Sequence, residues 1–157
     1  MKKIAAVSIL ALLICTSAFS AEIRIVLASS QTVYVSIYSN IFSGPKERPF
    51  NLAAMLSIRN TDLYNQMTLV SAEYFDNNGK RLKEYVEKEI ILPPLASHHF
   101  SIKEGDESGG FGANFIVRWK ADKEINTPII EGVMIGTKSG QGISFVGESK
   151  VISENTR

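Results

Sequence analysis

The chain contains only two imidazoles, His98 and His99, and they are neighbours. Adjacent residues on an extended strand project to opposite faces, so these two cannot chelate one ion together. Alternation groups His98 with Phe100 and Ile102, and His99 with Ser101 and Lys103. That is the pattern of one boundary and one exposed histidine; a copper or zinc site would need a distant methionine or carboxylate to complete it. Serine chemistry has fragments but no frame. Ser43-Gly44-Pro45-Lys46, Tyr38-Ser39-Asn40 and Lys138-Ser139-Gly140 imitate the motifs of penicillin-recognising enzymes. In those enzymes the serine–lysine pair opens a helix, so that both side chains share one face. Here Gly44 and Pro45 forbid the helix, the motifs are out of order and the chain is too short for that fold. There is no Gly-x-Ser-x-Gly elbow, and nothing supports a triad built on either histidine. Gly109-Gly110-Phe111-Gly112 lacks the Gly-Lys-Ser/Thr of a phosphate-cradling loop, as does Gly136-Thr137-Lys138-Ser139. The carboxylates Asp62, Asp76, Asp106 and Glu107 fall at strand ends or in loops, without the Asp-x-Asp-x-Asp spacing that preorganises calcium; there they satisfy turn backbone. No catalytic residue, metal site or cofactor is assigned.

Charges inside apolar runs are more informative. Arg59 closes one such run, Arg118 lies between Val117 and Trp119, and Glu131 sits within residues 129–135. A charge so placed is paired or reaches the solvent face, and Glu131 is expected to pair with Arg59 or Arg118. The functional alternative is a polar anchor in a ligand groove, where an arginine grips a carboxylate or phosphate bidentately. Residues 106–114 form a glycine-rich loop that could close such a groove, with Phe111 lying across a ligand or plugging the end of the fold. The candidate binding residues are therefore Arg59, Asp106, Phe111, Asn114 and Glu131.

The elements that must position them are strands. Val33, Val35 and Ile37 share one face of residues 32–38; Leu52, Ala54, Leu56 and Ile58 share one face of residues 52–60; Val70, Ala72 and Tyr74 come together in residues 67–75. Period-two alternation with β-branched and aromatic residues marks half-buried strands. Further strands are read at 23–27, 81–86, 97–103, 114–120, 129–135 and 143–146, and no later window carries a helical stripe. Asp76-Asn77-Asn78-Gly79-Lys80 is a hairpin turn, and Pro93-Pro94 forces a corner. Residues 39–49 form the largest irregular segment, and 155–157 a loose tail. Short strands with a turn signal about every ten residues describe a sandwich or barrel.

The N-terminus sets the compartment. Met1-Lys2-Lys3 precedes an uncharged run over residues 4–14, and Ala18-Phe19-Ser20 puts small residues where signal peptidase accepts them. The run is shorter than the ~20 apolar residues that span a bilayer. A signal peptide over residues 1–20, cleaved near Ser20, is expected, followed by a single domain over 21–157. Cys15, the one cysteine, follows the bulky Ile14 rather than the small residue that lipid attachment needs, so it belongs to the discarded peptide. The mature chain then has no disulfide and no cysteine nucleophile. With 17 basic and 16 acidic residues and a net charge of +1, there is no basic field for nucleic acid or anionic lipid. The mature protein is expected to be periplasmic or extracellular, without a transmembrane helix.

One order of blocks is more specific. The corner Arg59-Asn60-Thr61-Asp62, the strand end Tyr74-Phe75-Asp76 with its hairpin, then Leu92-Pro93-Pro94-Leu95-Ala96-Ser97 and Phe100 resemble the succession in bacterial immunoglobulin-like modules. Together with residues 33–39, Gly109 to Phe115 with Trp119, residues 128–136 and Gln141 to Phe145, these blocks resemble the exported-protein family known as domain of unknown function 3124, over nearly the whole mature chain. The resemblance implies a bacterial cell-envelope protein and lends no catalytic residue. The expected fold is all-β, a single immunoglobulin-like β-sandwich. The leading functional expectation is a non-catalytic binding or interaction module whose end loops contact another envelope protein or a small ligand. A structural component oligomerising through an edge strand such as 32–38, with Tyr34 and Tyr38 exposed, is the alternative, and an enzyme or metal protein ranks last.

Overall fold

A computed structural model describes residues 26–43, 46–138 and 140–155. The expected signal peptide, and all but the last two residues of the strand expected at 23–27, lie outside them. The described residues are all-β: β1 (Leu27–Ser36), β2 (Asn40–Ser43), β3 (Arg48–Asn51), β4 (Ala53–Arg59), β5 (Met67–Phe75), β6 (Arg81–Glu84), β7 (Ile90–Leu92), β8 (Ser97–Ile102), β9 (Asn114–Asn126), β10 (Ile129–Lys138), β11 (Gln141–Gly147) and β12 (Ser149–Asn155), with one 3-10 turn at Gly110–Gly112. A six-stranded sheet runs β12-β1-β9-β5-β6, with β7 also on β5; a four-stranded sheet runs β11-β10-β4-β8; β2 and β3 form a ribbon. Every pairing is antiparallel.

One core lies between the two sheets. Val33, Val35, Leu69, Ala72, Tyr74, Phe115, Val117 and Trp119 come from the larger sheet; Ala54, Leu56, Ile58, Ile102, Ile130 and Met134 come from the smaller. Alternation decides this allocation except where a bulge resets it. The register of β5 on β9 shifts between Leu69 and Ser71, so the buried set is Met67, Leu69, Ala72 and Tyr74, and Val70 is only half-buried. Grouping Val70 with Ala72 and Tyr74 is thus corrected: the extra residue of the bulge turns it away. The segment 39–49, expected to be irregular, instead holds the β2–β3 ribbon. Strand 32–38 is not an edge, because β1 lies between β12 and β9, and Tyr34 and Tyr38 are half-buried. Trp119, 1% exposed, donates its indole N–H to Gln31 at 3.3 Å, and Gln31 donates to Glu154 at 2.7 Å. A polar chain therefore fastens β12 to the core tryptophan.

The sheets approach closely around Ser36. A Cβ on Gly132 would meet the Ser36 carbonyl oxygen at 2.6 Å, and one on Gly147 would meet it at 2.3 Å. At the same place the Ser36 N–H donates to the Glu148 carbonyl, and there the chain leaves β11 in one sheet for β12 in the other. Any side chain at 147 must push backbone, and overpacking of this kind costs about 1–3 kcal/mol.

The corner between β4 and β5 is a buried polar knot. Asn60 Nδ2 donates to the carbonyls of Asn65, Leu92 and Pro93, while its Oδ1 accepts from the Asp62 N–H. Asp62 Oδ1 accepts from the N–H groups of Tyr64 and Asn65 and from Asn65 Nδ2; its Oδ2 accepts from the Asn126 N–H. The backbone donors of Tyr64 and Asn126 hold the Asp62 carboxyl below the usual carboxylate range, against the opposing effect of burial. A folded pKa below the unfolded value adds stability that is present above the unfolded value, near ~4, and is lost as pH falls through the folded one.

Two outcomes are expected. Gly147→Ala lowers the unfolding free energy by about 2 kcal/mol in urea titration, whereas Gly142→Ala, with only Thr137 Cγ2 at 3.9 Å, is near neutral. Asp62→Ala costs about 2 kcal/mol at neutral pH through its unpaired N–H groups. It also reduces the loss of stability as pH falls below roughly 4; an acid limb identical to that of the parent protein would rule out the Asp62 charge as its source.

Candidate functional site

The five candidate binding residues fall into two groups. Arg59 and Glu131 lie on the outer face of the four-stranded sheet, where β4 pairs with β10 through Arg59↔Ile129 and Ser57↔Glu131. Arg59 Nη2 approaches Glu131 Oε1 to 3.6 Å with the arginine half exposed, so Glu131 pairs with Arg59, and Arg118 pairs instead with Glu73. Asp106, Phe111 and Asn114 belong to the other end of that sheet. β8 reaches Ile102 opposite Ala54, at the far end of β4 from Arg59, and the glycine-rich loop follows. The two groups thus stand at opposite ends of the sheet.

The loop end is built by three converging segments: the β2–β3 ribbon, the glycine-rich loop and the β10–β11 hairpin. The loop is stapled in place. Ser39 N–H donates to the Gly110 carbonyl, Asn77 N–H to that of Gly109, Ile37 N–H to that of Ala113, and Gly110 N–H to that of Glu107. Gly110 takes φ +72°, a conformation that costs glycine nothing. Gly109 rests on Tyr74, where a Cβ would stand 1.9 Å from the hydroxyl. These contacts make the loop a fixed wall rather than a closing flap. Asp106 braces it from within, accepting from Ser108 N–H and Oγ. Asn114 opens β9 between Ser36 and Phe75 and is half-buried.

Under the loop, Tyr74 and Ser39 share a buried hydroxyl–hydroxyl hydrogen bond at 2.9 Å. Burial pushes the Tyr74 phenol above its ordinary pKa, and the Asp106 charge adds to this against the Ser39 bond. Burial and then Asp106 raise Tyr85 likewise. Both phenols therefore stay neutral around pH 7, as structural hydrogen-bonding groups.

What the loop end presents outward is aromatic and acidic. Phe111, 54% exposed, meets Phe42 of β2, 56% exposed, with ring centroids 6.0 Å apart. Beside them a groove of about 280 Å³ is lined by Pro49, Phe50, Asn51, Glu104, Glu107 and Thr137. Asn51 Nδ2 donates to Glu107 Oε1 at 2.6 Å, and β3 lies tightly on Gly136 of β10, where a Cβ would meet Phe50 at 2.5 Å. The buried Oδ1 of Asn40, across the ribbon from Asn51, is an acceptor with no partner among the described residues. Phe42 and Phe50 escaped the sequence reading because Ser43-Gly44-Pro45 looks like loop; the alternation within Asn40–Ser43 and Arg48–Asn51 was the available signal.

Elsewhere, His98 is half-buried with its ring 4.8 Å from that of Phe100, and His99 is exposed on the other face. No group of three or more His, Cys, Asp or Glu side chains among the described residues could hold a metal ion, and no helix among them is long and apolar enough to cross a membrane.

Comparison with known proteins adds three findings. No curated protein matches the chain. Among solved structures, "Crystal Structure of Thermotoga maritima 1070" aligns at a TM-score of 0.41 and 10% identity, over 77% of this chain and 93% of that one. The family model described as "Protein of unknown function (DUF3124)" matches residues 30–152, from within β1 into β12, so the match takes in the core, both sheets and the loop end. The chain belongs to the DUF3124 family.

Proposed function

We propose that this protein is an exported binding module of the cell envelope, periplasmic or extracellular, that engages another envelope protein or a small ligand through its loop end. Its N-terminal residues, with a basic start, a short apolar run and Ala18-Phe19-Ser20, support export. An immunoglobulin-like sandwich is the fold we infer. Antiparallel strands enclose a single core, and the chain changes sheet between β4 and β5, β7 and β8, β8 and β9, β9 and β10, and β11 and β12, as Greek-key sandwiches do.

The observation that carries the binding reading is the pair of exposed rings, Phe42 and Phe111, on separate segments held in fixed register. Exposed aromatic residues supply contact area with few rotatable bonds and are enriched at recognition surfaces. A fixed wall suits recognition, because little chain entropy remains to be lost on binding. The adjoining groove offers the carboxylates of Glu104 and Glu107 and the amide of Asn51, which orient a ligand through hydrogen bonds.

The reading is tested in the native host. A photo-crosslinking residue in place of Phe111 is expected to capture a discrete partner, while the same residue at Lys88, on the turn before β7, captures none; capture from both or from neither overturns it. With the captured partner in hand, Phe42→Ala combined with Phe111→Ala weakens binding at least about tenfold, yet shifts stability by less than about 0.5 kcal/mol, since both rings are exposed. The exported form is expected to begin near Ala21 by intact mass, and an N-terminus at Met1 would sink the export proposal.

A further inference from the structure

Every open sheet creates edges, and exposed edges invite pairing unless they are short, charged, bulged or blocked by proline. Four of the edges here carry a safeguard. β6 packs Arg81, Lys83 and Glu84 into four residues. β7 spans three residues and runs into Pro93. β12 carries Lys150 and Glu154, and its register on β1 is broken between Thr32 and Val33. β8 contains two histidines and exposes Ser97, His99 and Ser101. In the two larger sheets the exception is β11, Gln141-Gly142-Ile143-Ser144-Phe145-Val146-Gly147, seven residues with no ionisable group and no proline. Its pairing with β10 is unbroken from Gly132↔Gly147 to Lys138↔Gln141. Its other side pairs with nothing among the described residues.

β11 also stands at the end of an apolar row. On the outer face Met55, Val133 and Val146 are register partners across β4, β10 and β11, and Val146 is 58% exposed at the edge. Next to that row Ile135 is 55% exposed, and on the inner side of β11 Ile143 is 38% exposed. The strand is also complementary to itself. In an antiparallel pair centred on Ser144, Ser144 faces its own copy, Val146 faces Gly142, and Ile143 faces Phe145. Large meets small on the outer face, and a β-branched residue meets an aromatic one on the inner face, the favourable cross-strand combination. No charge opposes an identical strand.

We propose that β11 is a homodimerisation edge, pairing antiparallel with β11 of a second copy about a two-fold axis at Ser144 and joining the two four-stranded sheets into one. Seven paired residues with these side chains bury on the order of 1,000 Å² in total, the lower limit for a specific interface. The dimer is accordingly weak and concentration-dependent, with a dissociation constant in the micromolar range. The axis is perpendicular to the joined sheet, so the loop ends of the two copies point in opposite directions and each stays open.

Sedimentation equilibrium of the exported protein decides the matter. The wild-type mass is expected to rise from monomer to dimer as concentration passes from micromolar to millimolar. Ser144 is exposed, and Ser144→Lys or Ser144→Glu places like charges face to face on the axis, raising the dissociation constant more than about tenfold. An equimolar mixture of the two variants restores the dimer, which misfolded variants cannot do. In parallel, Ser144→Cys forms a disulfide-linked dimer under mild oxidation, because facing residues of an antiparallel pair lie about 4.5–5.5 Å apart at Cα, whereas Gly142→Cys, facing Val146, does not. A wild-type mass that stays monomeric over the whole range overturns the proposal. So do charge variants that associate as the wild type does, and so does a mixture that stays monomeric.

Discussion

The contact on which most of this molecule depends is the close approach at Ser36. Its carbonyl lies against the backbone of Gly132 and Gly147 in the opposite sheet, and its N–H binds Glu148. Two sheets normally pack about 10 Å apart because side chains fill the space between them. Here the side chains are missing on one side, so backbone meets backbone. That closeness lets the C-terminal run leave one sheet at Gly147 and enter the other at Ser149 without a loop. It also determines where β1 must end, since its continuation is drawn out of the sheet toward Ile37 and Ser39.

Both surfaces with a proposed role follow from that crossing. Once β1 has left its sheet, the N–H groups of Ile37 and Ser39 donate hydrogen bonds to carbonyls of the glycine-rich loop, and Asn40 begins the ribbon that carries Phe42 to Phe111. On the other side, the run that crosses at Glu148 leaves β11 on the outside of β10, with no second strand beside it among the described residues. The chain thus spends its C-terminal strand closing the core at one level and opens an edge at another. The polar knot at Asn60 and Asp62 holds the opposite end in a different way, replacing strand pairing with side-chain hydrogen bonds to seven backbone groups. The two ends therefore differ in kind: one is closed by internal polar groups, and the other presents rings and carboxylates outward.

Several residues with functional promise in the sequence are structural in their setting. Asp106 serves its own loop and adds to the burial that raises the pKa of Tyr74 and Tyr85. Glu131 and Arg59 neutralise one another on an open face, a pairing of modest energetic weight at this exposure. Arg118, beside the core tryptophan in sequence, points away from it and meets Glu73.

The sequence by itself determined the all-β class, the family, most strand positions and most of the inward-facing residues, because alternation is a local property and burial of one face follows from it. The corner at Asn60, the hairpin at Gly79 and the faces of the histidine pair were legible for the same reason. Only the tertiary structure decided what depends on partners distant in sequence. The bulge that turns Val70 away arises from its pairing with β9, and no pattern within 67–75 announces it. That strand 32–38 is central rather than an edge follows from the C-terminal residues adding beside it as β12, a long-range pairing that hydrophobic periodicity does not encode. The ribbon at 40–51 is too short and too interrupted by glycine and proline to be read locally, and it persists because Gly136 lets it lie on β10. The meeting of Phe42 with Phe111, and the open side of β11, are likewise consequences of how the sheets are assembled.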